Sequence, residues 1–318
     1  MPRQMVRNVD AALEVGRYPN LLPNGGFEWW QRGGGPYTAS GAGVICADRW
    51  YIQSRGSATG TCQRDTSDID YAAASLGGAG GAMAVTCTAT NASSSDTANS
   101  LTVMSMNLNE AMAANGVGGP TMLLNSPCSY LIRVKSDTAN SVVVPYVYVG
   151  SNGSFVLGPT YTLAAATWTT VTMTGTQPSG GAWYFGILFH TVATYKLDNA
   201  TMVAGTQPML YQALPVAVDL AICQRYYEKH GPGPNYPQAH GWSGGASGYL
   251  GTSFTFHVTK AATPTVTIGG TFGLQFANAP AAFGATLDGV MIQATTTGAG
   301  DAYWFSNSNG YFTVEANP

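Results

Sequence analysis

Residues able to do chemistry are few in this chain, and their spacing is informative. The acids nearest to recognisable structure are Glu28, Asp48, Asp198 and Asp219. A glycosidase needs two carboxylates facing each other across a cleft, and no local motif pairs any of these. His190, His230, His240 and His257 show no HExxH or His-x-His spacing of a metal site. Serines abound, but none stands in a GxSxG elbow, and neither a phosphate-binding GxxxxGK[ST] loop nor a strand–GxGxxG–helix unit is present. The expectation is a protein that is not an enzyme.

Aromatic residues offer a different chemistry, because flat rings can stack on the apolar face of a sugar. Trp30 is followed at once by Gln31 and Arg32, two polar side chains that could bond hydroxyls. Trp242, Tyr249, Tyr303 and Trp304 lie in glycine-rich or turn-flanked segments, where binding residues concentrate. Each has a structural alternative, since large aromatics commonly fill cores and subunit contacts. For NLLPNGGFEWWQRG (20–33), period-two alternation after the Pro23–Gly26 turn puts Phe27 and Trp29 on one face and Glu28 and Trp30 on the other. Phe27 and Trp29 would then fill the core, with Trp30 at an edge, a subunit contact or a glycan.

Composition narrows the partners. Charged residues are 9% of the 318, against about 25% in typical domains, while aromatics reach 11%. Such a chain folds, with a surface of hydroxyls, amides and small residues that favours association. The net charge of −3 argues against nucleic acid. No stretch of about 20 apolar residues predicts a membrane span, and residues 1–19 lack the apolar run of a secretory signal. The five cysteines, Cys46, Cys62, Cys87, Cys128 and Cys223, are unpaired in spacing and read as buried small hydrophobes in a reducing compartment.

The elements that must carry these residues are mostly strands. Segments 48–54, 81–90, 100–106, 128–136, 141–150, 168–175 and 182–191 alternate and are rich in Val, Thr and aromatics. Segments 248–259, 263–270, 288–297, 302–308 and 310–316 continue the pattern. Pro145 predicts an edge strand or a bulge. One helix is expected within 214–235, with Pro215 near its start, Lys229 and His230 in its last turn, and Gly231 and Pro232 as its stop. The fold class is thus all-β: an antiparallel jelly-roll β-sandwich, one linking helix, and a second small β unit. The expected division is an arm at 1–19, the sandwich at 20–208, a linker with helix at 209–235, and a C-terminal β domain at 236–318.

Two segments add a resemblance. Asn20, Leu21, Leu22, Asn24, Gly25, Phe27, Trp30, Gln31, Arg32 and Gly33, then Ala47, Asp48, Arg49 and Trp50, resemble the start of bacteriophage tail-fibre and head-fibre proteins. DLAICQRYYEK (219–229) resembles a later segment of the same group. The first β unit is also similar to carbohydrate-binding jelly rolls, from NGGFE (24–28) to YKLDNATMVAG (195–205). The resemblance implies a virion protein, assembled in the host cytoplasm and trimeric. It would join other virion proteins through the arm at 1–19 and touch host-surface glycan with its β domains. Arg225 and Glu228 would make polar contacts at the joint between them, or face solvent. It further implies a structural Ca2+ held by Glu28 and Asp198, with a turn-capping role for Asp198 as the alternative. A capsid or tail cement without host contact and a polysaccharide depolymerase are the rival functions.

Overall fold

The computed structural model describes residues 20–70, 81–90, 97–106, 127–149, 153–176, 183–231, 238–307 and 309–316. The expected arm at 1–19 and most of the polar loop at 91–100 lie outside them. The described residues are nearly all β with antiparallel sheets, and they divide into two units, one up to Leu220 and one from Ala221 onward.

The first unit is a sandwich. One sheet runs β1 (Tyr37–Thr38), β4 (Thr59–Asp65), β5 (Ala82–Ala89), β13 (Ala193–Ala204), β7 (Pro127–Ser136) and β11 (Thr169–Thr176). The other runs β10 (Tyr161–Leu163), β8 (Ser141–Val149), β12 (Trp183–Phe189), β6 (Leu101–Ser105), β3 (Trp50–Ser54) and β2 (Val44–Ile45), with β9 (Ser154–Leu157) also on β8. Inward-facing residues of both sheets make one core: Val85, Val134 and Leu197 from the first meet Ile52, Val103 and Ile187 from the second. Tyr130 of β7 stacks on Phe185 of β12 with ring centroids 4.8 Å apart. All five cysteines are buried, and none forms a disulfide.

Pro145 is a correction. It sits on β8 inside the seven-stranded sheet, opposite Ile187 of β12, and not at an edge. The sheet tolerates it because the other side of β8 changes partner there. Residues Ser141–Val143 pair with β10, and Tyr146–Val149 pair with β9. The missing N–H falls in the gap between two short ladders, where no bond is owed.

Among the described residues a single helix, α1 (Val216–Gln224), follows, opened by Pro215, whose carbonyl accepts the amides of Val218 and Asp219. It is shorter than the sequence suggests. Tyr227–His230 form a strand, β14, and not the last helical turn. Pairing with β22 (Tyr311–Glu315) overrides local helical periodicity, because Tyr227, Glu228 and His230 are buried in that position.

The second unit consists of three three-stranded sheets. They are β14–β22–β17 (Thr265–Gly269), β15 (Gln238–Gly244)–β21 (Ala299–Ser306)–β18 (Phe272–Gln275), and β16 (Tyr249–Thr255)–β20 (Gly289–Thr295)–β19 (Ala281–Phe283). The chain makes three passes through these sheets, and the last pass supplies the central strand of each. Trp304, Phe312, Ile292 and Phe256 fill its core.

Candidate functional site

The sequence-predicted glycan contacts separate into two groups once the structure is formed. Trp30 is buried at 7% exposure, and its indole N–H donates to the Phe27 carbonyl at 2.7 Å. Period two fails in this segment because Phe27 has φ 52°, a left-handed turn conformation that breaks the alternation. Trp30 therefore enters the core, while Trp29 stays half-buried and donates its indole N–H to Asp219 Oδ2 at 3.0 Å. This reverses the expected places of the two tryptophans. Gln31 and Arg32 are also committed to structure, with Gln31 Nε2 2.7 Å and Arg32 Nη1 3.4 Å from the Asp48 carboxylate.

These bonds belong to a knot around Asn24. Its Nδ2 donates to the carbonyls of Trp29 and Asp48, its Oδ1 accepts the Trp29 N–H, and its own N–H donates to Asp219 Oδ1. Trp50 adds its indole N–H to the carbonyls of Pro23 and Asn24. Burial, with the charges of Glu28 and Asp48, pushes Asp219 up to about 6 against the hydrogen bonds it accepts from Asn24 and Trp29. The segments that carry the resemblance to fibre proteins thus meet one another, and their shared residues are architectural.

Glu28 and Asp198 are the expected calcium acids. Asp198 lies within β13, where the register shifts between Asp198 and Thr201. Its Oδ1 accepts the Asn199 N–H and its Oδ2 the Asp70 N–H. Burial pushes it up to about 7, and the charges of Asp70 and Glu28 add to the rise. Arg133 pairs with Asp70. A buried carboxylate with more anionic neighbours than cationic ones would be stabilised by a cation, and the hard oxygen donors suit Ca2+ better than a transition metal. Glu28 and Asp198 could supply part of the six or more oxygens that such an ion takes.

In the second unit, the outer face of β15–β21–β18 gathers the remaining chemistry. His240 stands opposite Tyr303, Trp242 opposite Asp301, and Gln275 opposite Tyr303 on the other side. Strand alternation therefore puts Trp242, His240, Asp301, Tyr303 and Gln275 on one surface. Trp242 is 80% exposed. It lies on the diagonal from Tyr303, a separation of roughly 7–8 Å between such neighbours. His240 Nε2 is 3.2 Å from Asp301 Oδ1, both side chains being largely in solvent. Phe305 packs against Tyr303 with centroids 5.6 Å apart, which supports the ring from one side.

Trp304 cannot share this surface. It is the next residue after Tyr303, points inward, is fully buried, and donates its indole N–H to the Leu250 carbonyl at 3.0 Å. Alternation alone forbids Tyr303 and Trp304 from acting together, a signal present in the sequence. Tyr249 is 72% exposed but stands on another sheet, opposite Thr295 of β20. His240, Asp301 and Gln275 are the polar members that sequence reasoning missed, because only strand pairing brings them beside Trp242 and Tyr303.

Glu228, assigned by the sequence reading to polar contacts at the joint or to solvent, is 1% exposed and lies within a cluster of His230, His257 and Lys260. The charges and hydrogen bonds of these neighbours hold it below the usual carboxylate range against burial.

No family model matches the chain, and no curated protein matches it. Several solved structures are similar. The CBM22-1–GH10 modules of the Clostridium thermocellum endo-1,4-beta-D-xylanase 10B, complexed with xylohexaose, are 12% identical over 49% of this chain and 26% of that one, with a TM-score of 0.34. A putative sugar binding protein from Bacteroides thetaiotaomicron is 11% identical over 58% of this chain and 100% of that one, with a TM-score of 0.37. The enzymatically active domain of bacteriophage CBA120 tailspike protein 4 is 10% identical over 59% of this chain and 22% of that one, with a TM-score of 0.34. This chain thus spans about a quarter of the xylanase and tailspike chains. Likenesses this distant carry no functional information.

Proposed function

We propose that the chain is a non-catalytic glycan-binding protein whose contact surface is the outer face of β15–β21–β18. The observation that carries this reading is Trp242, a large ring 80% exposed on a sheet face that also holds Tyr303, His240, Asp301 and Gln275. A pyranose has an apolar C–H face and a rim of hydroxyls. Trp242 and Tyr303 offer flat apolar surface to the first, and His240, Asp301 and Gln275 offer donors and acceptors to the second. A ring held open to water on a rigid strand costs little entropy to engage.

The wider setting is part of the same proposal. The resemblance of 20–33, 47–52 and 219–229 to fibre proteins supports a virion component that attaches to host-surface glycan. Association into a homotrimer is supported by the low charge and by Phe283 and Met291, which pair across β19 and β20 at 59% and 40% exposure. Several weak sites in one assembly would raise avidity. The arm at 1–19 is the proposed joint to other virion proteins. A structural Ca2+ at Glu28 and Asp198 would offset the negative charge described above.

Titration of the chain with a panel of bacterial surface polysaccharides, followed by tryptophan fluorescence, tests the glycan surface. Binding that Trp242→Ala and Tyr303→Ala each weaken at least about tenfold, some 1.4 kcal/mol, is the expected result. Absence of binding across the panel, or binding that neither substitution changes, rejects the surface and leaves a cement role as the better account.

A further inference from the structure

We propose that Glu228, His230 and His257 form a binding site for a divalent transition-metal ion of the zinc class. Among the described residues they make the one group of three such side chains whose ligand atoms all lie within 4.8 Å of one another. Glu228 Oε1 is 2.9 Å from His230 Nε2, and Glu228 Oε2 is 3.0 Å from His257 Nδ1. Two imidazole nitrogens thus converge on the two oxygens of one carboxylate.

The fold explains why they converge. Glu228 and His230 are two residues apart on β14, so period two puts both on one face. On a helix, residues at that spacing do not face each other. His257 arrives from the segment just after β16. The His230 ring is held flat against Phe312, centroids 4.4 Å apart and 7° from parallel, and the His257 ring stacks over it at 5.1 Å. Two ligands are buried and rigid, while the side chain of His257 is 61% exposed. That combination leaves a route in from solvent and an open coordination position, as in sites with three protein ligands. The imidazole–carboxylate set suits Zn2+, Co2+, Ni2+ or Cu2+, and not Ca2+ or Mg2+.

Lys260 is the competing cation. Its ammonium lies 3.2 Å from Glu228 Oε1 and also donates to the Gln224 carbonyl. Without an ion it balances the buried carboxylate. With an ion bound, the Gln224 carbonyl still holds it. The site is therefore expected to bind less tightly than a purely anionic one.

The test is calorimetric titration of the tag-free full chain with zinc chloride, with calcium and magnesium chloride as controls. One zinc ion per chain is expected, with the same zinc response whether or not excess calcium or magnesium chloride is present, so that any calcium held at Glu28 and Asp198 does not count against it. His257→Ala, at an exposed position where folding is spared, is expected to weaken zinc binding at least about tenfold. His240→Ala, a histidine on another sheet, is expected to leave it unchanged. Lys260→Met is expected to tighten it in the folded variant. Absence of zinc binding, or equal binding by the chain and His257→Ala, overturns the proposal and leaves a satisfied ionic cluster.

Discussion

The amide of Asn24 donates a 3.2 Å hydrogen bond to Asp219 Oδ1, joining residues 195 positions apart. Asn24 is fully buried, has φ 51°, and spends its side chain on Trp29 and Asp48. A short turn near the start of the sandwich is thereby locked to the beginning of α1.

Breaking that lock should be costly. Asn24→Ala loses three side-chain bonds, one buried and two part-buried, and places alanine at positive φ, so a loss of about 3 kcal/mol is expected. Gly25→Ala should be at least as damaging, because its new Cβ would strike the Ala200 carbonyl, which is backbone and cannot step aside. Urea unfolding of the two variants measures both. A shift in midpoint as small as that of a surface substitution would contradict the lock.

Asp219 makes stability depend on pH. Its folded value of about 6 lies above the ordinary aspartate value near 4, so the folded state holds the proton more tightly than the unfolded one. This contribution is full below about pH 4 and is lost as pH rises through about 6. Linkage puts the loss at about 3 kcal/mol at most, and Asp198, raised to about 7, acts in the same direction. Thermal unfolding in metal-free buffer should fall in Tm between pH 4 and 7. Asp219→Asn should flatten that slope, whatever its Tm at pH 4. An unchanged slope would show that Asp219 titrates normally.

Trp242 and Trp304 should behave as opposites. Trp304→Ala empties a fully buried position and should cost about 3–5 kcal/mol. Trp242→Ala touches an exposed ring and should stay within about 0.5 kcal/mol while weakening the proposed glycan binding at least about tenfold. Chemical denaturation of both variants, beside the polysaccharide titration, separates the roles. A Trp242→Ala chain that unfolds early would mark the ring as a packing element.

The thiols supply a simple check on packing. All five cysteines are buried, and burial pushes Cys87 and Cys128 up to about 11. A thiol reagent at neutral pH should label the native chain slowly and reach five equivalents only after denaturation. Rapid labelling of the native chain would mean that the sandwich opens readily.

Much of the fold was legible because strands write themselves in period two. The segments around β5, β7, β8, β12 and β22 alternate with Val, Thr and aromatics, and they were read within a residue or two of their bounds. Strand β4, TGTCQRD, was missed because Gly and charged residues mask its alternation. Trp242 and Tyr303 stand out in the sequence as aromatics in glycine-rich or turn-flanked segments, and the structure leaves Trp242 exposed and Tyr303 half-buried on one sheet face. Trp304, in the same kind of segment, and Trp30, followed by Gln31 and Arg32, are core residues.

The sequence by itself determined the all-β class, the low-charge surface and the small set of aromatic and acidic residues able to meet a ligand, because these follow from composition and local periodicity. Only the tertiary structure decided that Tyr227–His230 would be a strand, that His240 and Asp301 would stand beside Trp242, and that His257 would reach Glu228. The physical reason is that pairing partners lie tens of residues away. The burial gained by a strand in the right place outweighs the few tenths of a kcal/mol per residue by which local propensity favours a helix.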